Sequence, residues 1–155
     1  MKFIILGCGS SMGVPRPDGF YGNCDPNNKK NYRTRCSALF QTSDENILID
    51  TSPDLRQQLL RHKIKKINKV LYSHMHGDQT HGINDLRSFY INSKNQINVY
   101  ADKPTSKYLK KSFSYIMRII IIINNNGYYY QIYIREDIWV FQEEVFYLAL
   151  SLRLF

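Results

Sequence analysis

Three of the four histidines in the chain, with one carboxylate, fall inside eight consecutive positions: His74, His76, Asp78 and His81 in Leu71-Tyr72-Ser73-His74-Met75-His76-Gly77-Asp78-Gln79-Thr80-His81. Imidazole nitrogen and carboxylate oxygen are the donors that zinc and its neighbours in the first transition row accept. On an extended backbone an H-x-H pair projects both rings to one side, so His74 and His76 are expected to grip one ion together. Asp78 and His81 then sit on the turn or helix start that follows. The competing reading is a polar turn with incidental histidines, and the concentration of three histidines in one window argues against it.

Such a cluster needs elements that hold it. Apolar patterning places strands near 2–6, 34–42, 46–50, 67–72 and 97–100, and helices near 53–63, 80–91 and 104–116. Pro53 suits a helix first turn with Ser52 as its cap, and Asn98, Asp102 and Pro104 flank the next strand-to-helix connection. The histidine window therefore follows a core strand directly.

In that order the motifs resemble the metallo-beta-lactamase superfamily of hydrolases, in which an H-x-H-x-D-H run after a core strand supplies ligands to a one- or two-metal centre. Lys2 to Leu6 opens into Gly7-Cys8-Gly9-Ser10-Ser11-Met12-Gly13-Val14-Pro15, and Asn46-Ile47-Leu48-Ile49-Asp50 is a strand ending in an aspartate. The wording Cys24-Asp25-Pro26-Asn27-Asn28, Arg33-Thr34-Arg35-Cys36-Ser37 and His81-Gly82-Ile83-Asn84-Asp85-Leu86-Arg87 is similar to a bacterial branch of phosphoribosyl cyclic phosphodiesterases. The resemblance implies an α/β fold of the αββα sandwich type over residues 1–115. It also implies one or two zinc ions, with manganese or iron as alternatives, held by His74, His76, Asp78 and His81. Asp78 doubles as the catalytic group that orients the attacking water. Asp50 is expected to steady a metal ligand from behind; a solvated strand-end aspartate is the plain alternative.

Two departures stand beside the match. Gln79 occupies the place where the family usually has a histidine, and an amide oxygen is a poorer zinc ligand than imidazole; His81, three residues beyond Asp78, is the candidate substitute. The family also closes its site with further histidines and an aspartate downstream, whereas no histidine follows His81. Composition changes at the same place. Residues 1–111 hold 18 Lys and Arg against 9 Asp and Glu, and residues 112–155 hold 3 against 4. Ile119 to Ile123, Asn124-Asn125-Asn126 and Tyr128-Tyr129-Tyr130 are tracts without a sustained period. Residues 116–155 are thus expected to be a divergent apolar tail, a frameshifted or decayed reading of a longer domain, leaving an incomplete sandwich. Within it, Tyr128 to Ile134 reads as a strand and Glu143 to Phe155 as a hydrophobic helix.

At 155 residues the chain is long enough for one cored domain. Lys2 ahead of Phe3-Ile4-Ile5-Leu6-Gly7-Cys8 imitates a lipoprotein signal, but its apolar run is too short for one, and no stretch reaches the roughly 18 apolar residues of a membrane span. The expected location is cytoplasmic. Three cysteines at spacings of sixteen and twelve make no disulfide framework; Cys24 has a structural-zinc alternative, with an ordinary thiol as the default. Gly7 to Gly13 lacks the Gly-Lys-Ser/Thr ending of a phosphate-binding P-loop, and its glycines are expected to let the backbone turn under the metal site.

The net charge of +8 gathers in Lys29, Lys30, Arg33 and Arg35 and again in Arg61, Lys63, Lys65, Lys66 and Lys69. The first group lies beside the family's substrate loop, where Arg33 and Arg35 are expected to hold a phosphate through paired hydrogen bonds. The expectation is therefore a metal-dependent hydrolase of small phosphate esters, with activity weakened or lost through missing downstream ligands. A noncatalytic remnant and a basic module for RNA or another polyanion remain open, as does a homodimer in which a second chain completes the site.

Overall fold

A computed structural model describes residues 1–116, so the expected tail elements lie outside the described residues. Five strands form one mixed sheet in the order β1 (Lys2–Gly7), β2 (Ser37–Gln41), β3 (Asn46–Ile49), β4 (Lys69–Leu71) and β5 (Asn98–Tyr100). The first two pairings are antiparallel and the last two parallel. Helices α1 (Leu55–Arg61), α2 (Gly77–Thr80), α3 (Leu86–Ser93) and α4 (Lys103–Ser112) occupy the connections. The strand expectations are met in position; β2 to β5 are shortened at one or both ends, because the flanking residues turn into loops, whereas β1 runs one residue further, to Gly7.

Period-two alternation divides the sheet into two faces. One row runs Ile4, Leu39, Leu48, Val70 and Val99 across the registered strands. It packs against Leu55 and Leu59 of α1, Leu86 of α3, and Leu109 of α4 with the following Phe113 and Ile116. Leu39, Leu48, Val70, Leu55 and Leu109 are wholly buried. The other face is apolar on β1 to β3 and turns polar at Lys69 and Asn98, and Phe3 and Ile5 on it are exposed. The described residues are thus one helix-covered sheet, corresponding to half of an αββα sandwich.

Three helix expectations need correction. The helix expected at 53–63 starts at Leu55: the Ser52 hydroxyl accepts from the Asp54 N–H at 3.0 Å, a turn that leaves Pro53 outside the helix. The single helix expected at 80–91 is broken into α2, a 3-10 turn at Ile83–Asp85 and α3. Gly82 causes the break, since it is pressed onto the neighbouring chain so closely that an added Cβ would stand 2.0 Å from the Ser52 carbonyl oxygen. Finally, α4 ends at Ser112, with a turn at Phe113 before helical backbone resumes over 114–116, while its start is fixed by the Asp102 carboxylate accepting from the Thr105 N–H at 2.9 Å.

The glycines of the Gly7 to Gly13 loop serve close approach more than turning. A Cβ on Gly7 would meet the Arg35 carbonyl oxygen at 2.1 Å, and one on Gly9 would meet that of Arg33 at 2.6 Å. The loop is thereby laid flat against the segment that carries both arginines.

Candidate metal centre

Parallel strands β3 and β4 end side by side, and the candidate site residues follow their C-terminal ends, the usual place for ligands on open parallel sheets. Asp50 follows β3 and Ser73 to His76 follow β4. The histidines therefore sit in a loop beyond the strand rather than on it. Thr51 ties this loop down: its N–H donates to the Gln79 carbonyl at 2.6 Å, and its hydroxyl lies 3.1 Å from the Thr80 carbonyl and 2.9 Å from the buried Tyr72 hydroxyl.

Asp50 is buried and has φ 59°, a left-handed conformation that Asp tolerates better than most residues. Its Oδ1 accepts from the Ser73 N–H at 2.8 Å and its Oδ2 from the Ser73 hydroxyl at 2.7 Å. Burial pushes its carboxyl up to about 6, against the opposing effect of the two Ser73 bonds and with a small upward push from the charge on Asp78. Ser73 Oγ also stands 3.0 Å from His74 Nδ1. With Asp50 ionised, the one hydroxyl proton of Ser73 goes to the carboxylate, so Ser73 accepts from His74 Nδ1–H. This assigns the lone pair of His74 to Nε2.

That nitrogen faces His76: His74 Nε2 and His76 Nδ1 are 3.2 Å apart, and the rings meet edge to face with centroids 4.6 Å apart. The two imidazole nitrogens lie within hydrogen-bond distance of each other on the exposed side of the loop. Asp78 lies in the first turn of α2, where its Oδ2 accepts from Gln79 Nε2 at 2.8 Å. Gln79 Oε1 is buried and has no hydrogen-bond partner among the described residues. His81 caps the C-terminal end of α2 and turns elsewhere, its Nε2 lying 3.0 Å from the Tyr108 hydroxyl and its ring packing on Phe113. Among the described residues no three His, Cys, Asp or Glu side chains are grouped so as to hold an ion together. The donor set fits a transition metal in kind, and His74 with His76 fits it in placement; Asp78 and His81 stand apart from that pair.

The two arginines separate. Arg35 gives its backbone N–H and Nε to Asp54 Oδ2, each at 2.9 Å, and its Nη2 to Asp54 Oδ1 at 2.7 Å. This pairing holds the Asp54 carboxyl below the usual range and raises Arg35 further. Arg33 is exposed and points into a different cleft. Sequence reasoning missed Asp54 as the partner of Arg35, Ser73 as the link between Asp50 and His74, and Tyr108 as the partner of His81. Of these only Ser73 carried a local signal, as a hydroxyl next to the first histidine.

A family model described as the beta-lactamase superfamily domain matches residues 45–128, which includes β3, β4, the histidine loop and α4. The chain belongs to the metallo-beta-lactamase superfamily. Within this superfamily it is similar to a diphosphatase of the PhnP family, with 35% identity, a TM-score of 0.65, and coverage of 74% of this chain and 47% of that one. Zinc-bound PqqB from Methylobacterium extorquens shares the superfamily fold at 20% identity and a TM-score of 0.58, over 82% of this chain and 44% of that one. The short form of human tRNase Z does so at 21% and 0.54, over 75% and 40% respectively. Among curated proteins, an octanoyltransferase of Porphyromonas gingivalis is 36% identical over 119 residues, spanning 76% of this chain and 24% of that protein. This superfamily member thus spans less than half the length of each of these relatives. Among the described residues no helix is long and apolar enough to cross a membrane.

Proposed function

We propose that the chain carries the metal-binding half of a phosphodiester hydrolase. The observation that carries this reading is the close approach of His74 Nε2 and His76 Nδ1, 3.2 Å apart, with Ser73 and the buried Asp50 bonded in series behind the first ring. Zinc, or manganese or iron in its place, is the cofactor these donors suit. Such an ion supplies Lewis-acid activation of water and of a phosphoryl oxygen.

The residues of this chain have separable roles in that reading. His74 and His76 bind the ion, and Asp50 acts through Ser73 to hold the His74 ring in its binding tautomer. Asp78 swings from Gln79 to serve as the third donor and to orient the nucleophile, and His81 joins on release from Tyr108. The similarity to a PhnP-family diphosphatase supports a small phosphate ester as substrate, and the basic surface supports an anion. A site commonly needs at least three protein ligands, so the reading makes the rearrangement of Asp78 or His81 a condition of activity.

The test is zinc, manganese and iron per chain in purified, folded protein, followed by turnover of bis(p-nitrophenyl) phosphate. About one or two ions per chain, lost in His74→Ala/His76→Ala together with turnover, is the expected result. Metal-free protein that leaves the phosphodiester intact would overturn it.

A further inference from the structure

A second cluster of charge lies away from the histidine loop. A cleft of about 420 Å³ opens between β1, the segment Lys30 to Thr34 and the C-terminal end of α1. Lys30, Arg33, Arg61 and His62 line it, with Tyr32 and the Cys8 thiol beside them, and no carboxylate is among the lining residues. Among the described residues none of these four basic side chains takes part in an ion pair, whereas Arg16, Arg35 and Lys69 each do. The four come from segments some thirty positions apart in the sequence and meet only because the chain is folded.

Helix electrostatics accounts for part of this. Arg61 and His62 close α1, where the carbonyl end of a helix favours positive charge. Lys30 and Arg33 have no such reason to be there. Both are carried on backbone that is held in place: Arg33 exchanges two hydrogen bonds with Val14, at 2.8 and 2.9 Å, and the Lys30 N–H donates to the Asn28 side chain at 3.0 Å. Gathering unpaired like charges around one concavity raises their mutual repulsion, and an anion in the concavity relieves it. Guanidinium groups favour phosphate in particular, because their forked N–H donors match its oxygens.

We propose that this cleft is a binding site for a compact phosphate-bearing small molecule of the diphosphate class. It shares no residue with the His74 and His76 pair, so occupancy does not depend on a metal. The cleft is open to solvent on one side, so a ligand held there stays partly exposed and is gripped by charge rather than by enclosure. Lys30, Arg33 and Arg61 line the cleft together, and His62 offers a ring nitrogen beside them.

Titration of the whole chain with inorganic pyrophosphate by calorimetry, at fixed ionic strength and without added metal, tests the proposal. Arg33→Gln/Arg61→Gln should weaken binding by about tenfold or more, and each single variant by less. Lys65→Gln/Lys66→Gln, which removes the same charge from the outer surface, should change it by less than about twofold. Binding should survive His74→Ala/His76→Ala. Circular dichroism of each variant verifies that these exposed substitutions leave the fold intact. Equal weakening by both charge-removing pairs would mean a diffuse field and would overturn the proposal. So would loss in the histidine variant, which would place the anion at the metal centre, and so would an undetectable signal with wild-type protein. A ribo-oligonucleotide that binds more tightly than pyrophosphate and depends on the same two arginines would replace it with a nucleic-acid groove.

Discussion

Arg35 and Asp54 are joined at three points, through the backbone N–H, Nε and Nη2 of the arginine. The pair ties the strand-leading segment before β2 to the start of α1. Asp54→Asn keeps the shape and removes the charge, and it should cost about 1–2 kcal/mol in urea denaturation, less than a fully buried pair because water reaches both side chains.

The same pair sets an acid dependence. The Asp54 carboxyl is lowered from 3.8, first by the Arg35 side-chain bonds. A depressed carboxyl contributes its stability above its unfolded value and loses it as pH falls through the folded one. The gap between wild type and Asp54→Asn should therefore be full near neutrality and shrink toward zero below 3.8. A gap that is constant with pH would show that the charge on Asp54 is irrelevant.

The Ser73 hydroxyl bonds to both Asp50 and His74. Removing its hydroxyl leaves His74 and His76 in place but frees the His74 ring and its tautomer. Ser73→Ala should weaken zinc binding about 10- to 100-fold, the usual cost of losing a ligand's support, when measured by competition with a chromophoric chelator. Unchanged affinity would mean that the ring is held by other contacts.

His81 and Tyr108 give a prediction of opposite sign. Tyr108→Phe removes the partner of His81 Nε2 and should raise zinc affinity by a few-fold if His81 is recruited to the ion, since the competing hydrogen bond is worth about 1 kcal/mol. The same change in a His81→Ala background should then have no effect.

Gly82 and Gly22 offer a contrast in stability. An added methyl at Gly82 meets the Ser52 carbonyl at 2.0 Å, so Gly82→Ala should cost about 3 kcal/mol through forced backbone shifts. Gly22 has φ +63° with nothing within 4 Å, so Gly22→Ala pays only for its backbone conformation, about 1 kcal/mol. Thermal melts of the two variants, compared side by side, should keep that order.

Much of the framework was legible because it follows from local patterning. The apolar runs at Ile4, Leu39, Leu48 and Val70 alternate with the sheet's own period and are found as strands. The connection flanked by Asn98, Asp102 and Pro104 was legible as a strand-to-helix turn, and the structure adds that Asp102 caps the helix. What was not legible depends on contacts between distant segments. The pressure of Ser52 on Gly82, which divides the expected helix after Thr80, leaves no mark within residues 80–91 except a glycine. Likewise Arg33 and Arg35 look equivalent as written, two residues apart in one strand-like segment. Asp54 takes one of them and the α1 end meets the other, so only the fold distinguishes them.

Asp50 sits where two unrelated demands fall on one residue. Its backbone occupies φ 59°, and its carboxylate must span both donors of Ser73. Glycine would satisfy the first demand and fail the second; glutamate would keep the charge while crowding a buried pocket and straining the backbone; asparagine would suit the backbone but offers one accepting oxygen where two are used. In a saturation library, position 50 should therefore show a nearly empty row, with asparagine as the least damaged replacement, although the residue is buried. Tolerance at His74 and His76 would be lost only under selection for activity, whereas at Asp50 it would be lost under selection for folding as well.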